Sequence, residues 1–245
     1  MKRARTVWAL CLAAGAVLLT GTGCAVWRIG QSAELARESK AWQQQPANST
    51  LRLLIVGDST GVGTGASSGL GSLAGLIGTS QPTWAIDNRS RDGARFRDLA
   101  AQLEGSEHFD IVLVQAGGND VIRLRGLQAL ERDIEQVANL ARARGHRVIL
   151  MPAGNVGNAP FFLAPLSWLM TERSRALHRL VKEAAGRIGA DYVNLFHERE
   201  DDPFVRDPQL NARDGLHPSD AGYKVWLQAL QTQAGVPGRA ADAAR

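Results

Sequence analysis

Ser59, Asp214 and His217 are the residue types from which a nucleophilic acyl-transfer site is built. A serine hydroxyl is a weak nucleophile until a base takes its proton. Imidazole performs that task near neutral pH, and a carboxylate holds the imidazole in the required tautomer. Asp214 stands three residues before His217 in "DGLHP" (214–218), and a tight turn at Gly215 can bring its carboxylate to Nδ1. Nε2 then faces Ser59, in the distant "GDS" at 57–59. The charge that develops on an attacked carbonyl needs donors. Asn119 and the glycine N–H groups of "GGND" (117–120) can supply them.

Each feature also has a plainer reading. A Ser that follows a strand commonly caps the next helix. Gly93 can simply mark a bend. Asn119 and Asp120 are ordinary turn residues, and Asp214-Gly215 is a turn dipeptide. What favours chemistry is the combination, and that requires the fold to gather four distant turns.

The elements that would do so alternate. Short apolar runs at 51–56, 83–88, 110–116, 147–153 and 191–196 have strand length. Helical spacing occupies about 93–104, 127–144, 171–189 and 219–233. Continuously apolar strands separated by helices predict an α/β fold: a doubly wound parallel sheet of about five strands with both faces covered. Ligands in such sheets bind at the carboxyl ends of the strands, where "GDS", Gly93 and "GGND" fall.

These blocks resemble the SGNH (GDSL-type) serine hydrolase family. "GDS" is similar to its nucleophile block, Gly93 in "SRDGARF" to its oxyanion glycine, "GGND" to G-x-N-D, and "DGLHP" to D-x-x-H-P. The resemblance spans roughly 51–233, with Thr60 where many members have Leu. It implies a flavodoxin-like three-layer α/β/α sandwich and hydrolysis of carboxylic esters or thioesters without metal or other cofactor. Ser59, His217 and Asp214 would form the triad, with the N–H groups of Ser59 and Gly93 and the Asn119 amide as oxyanion donors. Asp58 and Asp120 would support the turns. Acyl transfer to a glycan on the same site, or a non-catalytic module keeping the motifs as scaffold, are the alternatives. The substrate expected is a small-molecule, lipid or glycan ester.

"GVGTGA" (61–66) fits a dinucleotide fingerprint, with Asp87 placed as a ribose-binding acid. That reading puts the glycines too far beyond the strand and leaves "GGND" and "DGLHP" without a task. No Gly-Lys-Ser/Thr phosphate loop is present. The connection "GNVGNAPFFLAPLSWLM" (154–170) offers Phe161, Phe162 and Trp168 as an apolar substrate wall, and Asn155 as a polar contact. The same residues can instead pack the next helix onto the sheet, and Asn155 can be a turn residue. His108, His146, His178 and His197 read as solvated, and "EREDDP" (198–203) as a solvated loop. No metal constellation is expected.

The chain has 245 residues and a net charge of +4. Lys2, Arg3, Arg5 and Arg28 account for that excess, since residues 1–28 contain no acid. The remainder carries no net charge to attract nucleic acid, and no nucleic-acid partner is expected. Residues 6–27 are uncharged and largely apolar, long enough at about 20 residues to span a bilayer. Residues 1–28 therefore read as a signal peptide or N-terminal membrane anchor, with the rest exported to the cell envelope. Cys24, after "LLTGTG", is similarly placed to the lipidated cysteine of a lipoprotein, with Gly21 where Leu is usual. Cys11 and Cys24 are the only cysteines, so residues 51–235, the expected hydrolase domain, hold no disulfide. Residues 29–50 read as a polar spacer and 236–245 as a flexible tail.

Overall fold

The computed structural model describes residues 27–236. The apolar leader and Cys24 lie outside the described residues, except that Trp27 is included; so does the tail beyond Val236. No helix among the described residues is long and apolar enough to cross a membrane.

Residues 27–38 form helix α1. Strand β1 (Leu51–Gly57) leads through the short helix α2 (Ser59–Val62) to α3 (Leu73–Ser80) and β2 (Trp84–Asn88). Helix α4 (Leu99–Gln102) precedes β3 (Phe109–Gln115). Then come α5 (Gly118–Ile122), α6 (Leu127–Arg144), β4 (Gly145–Leu150), α7 (Leu166–Ile188) and β5 (Asp191–Tyr192). Helices α8 (Pro203–Arg206) and α9 (Asp220–Ala234) end the domain.

The five strands are parallel, in the order β2-β1-β3-β4-β5, the flavodoxin-like arrangement. Alternating side chains point to opposite faces. Leu54, Val56, Val112 and Val114 pack with α6 and α7 on one face. Leu53, Ile55, Ile111 and Leu113 pack with α3 and α9 on the other. This double burial is why β1 and β3 are apolar without alternation. Helix α6 buries Leu130, Ile134, Val137, Ala138 and Ala141, a stripe at the 3.6-residue period.

Several boundaries differ from expectation for local reasons. The strand foreseen over 191–196 shortens because the Asn194 N–H donates to Gln233 Oε1 of α9 at 2.8 Å. Gln233 Nε2 in turn donates to Asn194 O at 3.0 Å, so a side chain replaces the ladder. The helix foreseen over 93–104 is a 3-10 turn at Phe96–Asp98 followed by α4. Residues 29–50 are ordered against the domain. Gln44 bridges Ile86, Gln43 Nε2 donates to Asn88 O at 2.6 Å, and Trp42 packs against the core. The glutamine amides satisfy groups that the edge strand β2 would otherwise expose.

Candidate active site

Chain reversal of the strand order places the ends of β1 and β3 side by side. At the end of β1, Asp58 is the N-cap of α2: its Oδ1 accepts from Thr60 N at 2.9 Å and Thr60 Oγ1 at 2.8 Å. That relieves Ser59 of capping. Its Oγ instead lies 2.9 Å from His217 Nε2, across 158 positions of sequence. His217 Nδ1 lies 2.6 Å from Asp214 Oδ2. Asp214 Oδ1 accepts from Leu216 N at 2.9 Å and His217 N at 3.1 Å, and Gly215, at φ 67°, makes that turn. Burial alone would raise the Asp214 carboxyl. The hydrogen bond and charge of His217, with the two N–H groups, outweigh burial and hold the pKa below its ordinary 3.8.

The Ser59 N–H begins α2 and has no intrahelical acceptor. The Gly93 N–H also lacks a hydrogen-bond partner among the described residues. Asn119 Nδ2 donates to Ala94 O at 3.1 Å, which orients the amide and ties the turn after β3 to the residue following Gly93. Gly93 and Gly117 lie at φ 75° and 115°, where only glycine is unstrained. A Cβ at Gly117 would also press on the Leu177 side chain at 2.6 Å. Asp120 is buried, and its Oδ2 accepts from Phe96 N at 3.0 Å. Burial, against that N–H and helped by the charges of Asp58 and Asp133, pushes its pKa to about 6.

Ser59, Gly93, Asn119 and His217 open on one cleft of about 510 Å³, with Asn155 and Phe161 also in its wall. Residues 55–225 match the GDSL-like Lipase/Acylhydrolase family. The chain belongs to that family. This GDSL-type protein is accordingly an ester hydrolase, and its parallel sheet is that of the SGNH fold. Several solved structures share the fold. TesA is 22% identical, with a TM-score of 0.60, over 74% of this chain and 97% of that one. Axe2, an acetylxylan esterase from Geobacillus stearothermophilus, is 21% identical, with a TM-score of 0.58, over 78% and 97%. An alpha/beta hydrolase enzyme from the metagenome of Lake Arreo, Spain, is 20% identical, with a TM-score of 0.59, over 77% and 96%. No curated sequence matches at a significant level.

Other expectations meet a different geometry in this GDSL-type hydrolase. Asn155 spends its side chain on the backbone, donating to His197 O at 3.0 Å and accepting from Gly157 N at 3.1 Å. Phe162 and Trp168 line a separate depression with Leu163 and Thr171. Phe162 turns toward the core, while Trp168 is 70% exposed. Neither borders the cleft of Ser59. His178, expected to be solvated, is buried: Nδ1 lies 2.7 Å from Tyr192 Oη and Nε2 lies 2.8 Å from Ala153 O. Burial, opposed by the bond to Ala153 O and by Asn194, holds its pKa down to about 4. Asp202, in the acidic run, is buried too. It caps α8 through Phe204 N at 2.9 Å and accepts from Asn158 Nδ2 at 2.7 Å. Its place before Pro203 was the available signal, since Asp-Pro is a helix-start pattern. Asp87 is paired with Arg89 at 2.7 Å, so it does not present a free carboxylate for a ribose. Among the described residues no three His, Cys, Asp or Glu side chains are grouped to hold a metal ion.

Proposed function

We propose that this protein is an exported serine esterase that works through Ser59, His217 and Asp214. The observation that carries the reading is the continuous bond chain from Ser59 Oγ through the imidazole to Asp214, opening on the cleft. Ser59 Oγ attacks the ester carbonyl as His217 Nε2 takes its proton. The carbonyl oxygen becomes an oxyanion, held by the N–H groups of Ser59 and Gly93 and by the Asn119 amide. As the intermediate collapses, the bond to the alkoxy oxygen breaks and His217 returns the proton to it, releasing the alcohol. Water then repeats the sequence on the acyl-serine: His217 takes the water's proton and gives it back to Ser59, and a carboxylic acid leaves. Asp214 keeps the Nδ1 proton in place and stabilises the imidazolium throughout.

The uncharged stretch 6–27 behind a basic start supports export, and Cys24 supports attachment of the chain to the envelope by a lipid. N-terminal mass spectrometry of protein extracted from membranes tests both. The reading requires the chain to leave the cytoplasm, and recovery of unmodified protein solely from the cytoplasm refutes it. Hydrolysis is tested with p-nitrophenyl esters of increasing acyl length, with equimolar release of acid and phenol. Turnover by the Ser59→Ala variant at the wild-type rate would refute the assigned nucleophile.

A further inference from the structure

The family match begins at residue 55, yet part of the cleft wall comes from well before it. Ile29, Ser32, Ala33 and Ala36 of α1 line the same cavity as Ser59 and His217. Their spacing puts them on one stripe of the helix. The helix is fastened at two places. Arg213 Nη2 lies 3.1 Å from Glu34 Oε2 and 3.1 Å from Glu38 Oε2. At the other end the Arg28 guanidinium donates to Pro160 O.

Both fastenings lead to the histidine loop. Arg213 immediately precedes Asp214. Pro160 precedes Phe161, whose N–H donates to Gly215 O at 2.9 Å. Gly93 and Asn119 belong to other segments, so α1 roofs the His217 side of the cleft rather than the oxyanion side. We propose that α1 is a specificity wall for the leaving alcohol, with Ala33 and Ala36 setting its clearance. The proposal rests on the esterase reading above, in which the alkoxy oxygen must reach His217 Nε2 to be protonated. The alcohol beyond that oxygen then projects beneath α1. Two alanines leave room at this wall, and phenylalanine at either position would fill it. Both ion pairs of Arg213 are solvent-exposed and individually weak, so the roof can be released without disturbing the core.

The test measures kcat/KM for acetate esters of ethanol and of cyclohexylmethanol, alcohols of similar acidity and different bulk. A second pair, ethyl acetate and ethyl hexanoate, varies the acyl side. Ala33→Phe and Ala36→Phe should lower the bulky-to-small alcohol ratio at least tenfold while moving the acyl ratio less than threefold. Ile29→Ala and the double variant Glu34→Gln/Glu38→Gln, at exposed positions tolerant of change, should raise the alcohol ratio. Alcohol ratios within twofold of the wild type in all four variants would overturn the proposal, as would a larger change on the acyl side. Fluorophosphonate labelling of the wild type separates the two levels. A labelled, active enzyme with flat ratios refutes the role of α1 alone, whereas an unlabelled, inactive wild type removes the esterase reading and this one with it.

Discussion

Gly65 packs directly against His217. A Cβ at position 65 would meet His217 Cβ and Ala212 Cβ at 2.9 Å and press still closer on Pro218 O. The residue also lies at φ 97°, a conformation that side chains resist. Gly65 thus gives the imidazole loop its seat. Gly65→Ala is expected to destabilise the protein by about 1–3 kcal/mol and to lower kcat more than tenfold by shifting His217. Urea denaturation and ester turnover measure the two effects; wild-type values for both would mean that the loop absorbs the methyl group.

Asp214→Asn keeps the side-chain shape but puts an amide beside Nδ1, or an acceptor there without charge. With the amide facing it, the imidazole carries its proton on Nε2 and cannot accept from Ser59. Turnover should fall by about 10⁴-fold with an unchanged circular dichroism spectrum. A loss below tenfold would show that the carboxylate does not orient the base.

On the mechanism proposed, Asn119→Ala removes one oxyanion donor, together with the bond to Ala94 O. The expected loss is about 10²- to 10³-fold in kcat with little change in KM, because the interaction strengthens only as charge develops on the oxygen. A rise in KM at constant kcat would instead mark Asn119 as a ground-state contact.

Asp120 couples the turn after β3 to pH. Its pKa is raised in the folded state from 3.8 to about 6, chiefly by burial. Folded protein therefore holds a proton that the unfolded chain releases between those values. The associated stability is fully present below pH 3.8 and is lost as pH rises through about 6. At about 1.4 kcal/mol per pH unit, the loss is on the order of 3 kcal/mol. Asp120→Asn cannot titrate, so relative to wild type it should gain about that much stability between pH 4 and pH 7. His178, whose lowered pKa gives the opposite slope, is present in both proteins and cancels from the difference. Urea denaturation across that range checks the sign, and parallel pH profiles would contradict it.

The parts of the fold readable from sequence were those whose signal is local. The strands β1 and β3 announce themselves by continuous apolar runs, and α6 by its stripe of Leu130, Ile134 and Val137. The turns at Ser59, Asn119 and His217 combine residue types that few other tasks require together. Helix α3 went unread because "LAGLIGTS" has no polar face to give a period; five of its residues are buried. His178 reads as solvated because Arg175 and Arg179 lie near it in sequence, while its partners, Tyr192 Oη and Ala153 O, come from other elements. Residues 29–50 look like a spacer in composition, yet Gln43 and Gln44 are consumed by an edge strand whose position no local pattern reveals. Of the residues offered for the cleft wall, Asn155 and Phe161 line the cavity, whereas Trp168 does not, because its helix α7 carries it outward.

On the mechanism proposed, Ser59 is the group that becomes acylated, and His217 takes its proton. Intact-mass spectrometry and peptide mapping after fluorophosphonate treatment test this directly. One adduct is expected, on Ser59, absent from Ser59→Ala and formed at least a hundredfold more slowly in His217→Ala. An adduct on another residue, or labelling of Ser59 at an undiminished rate without His217, would contradict it.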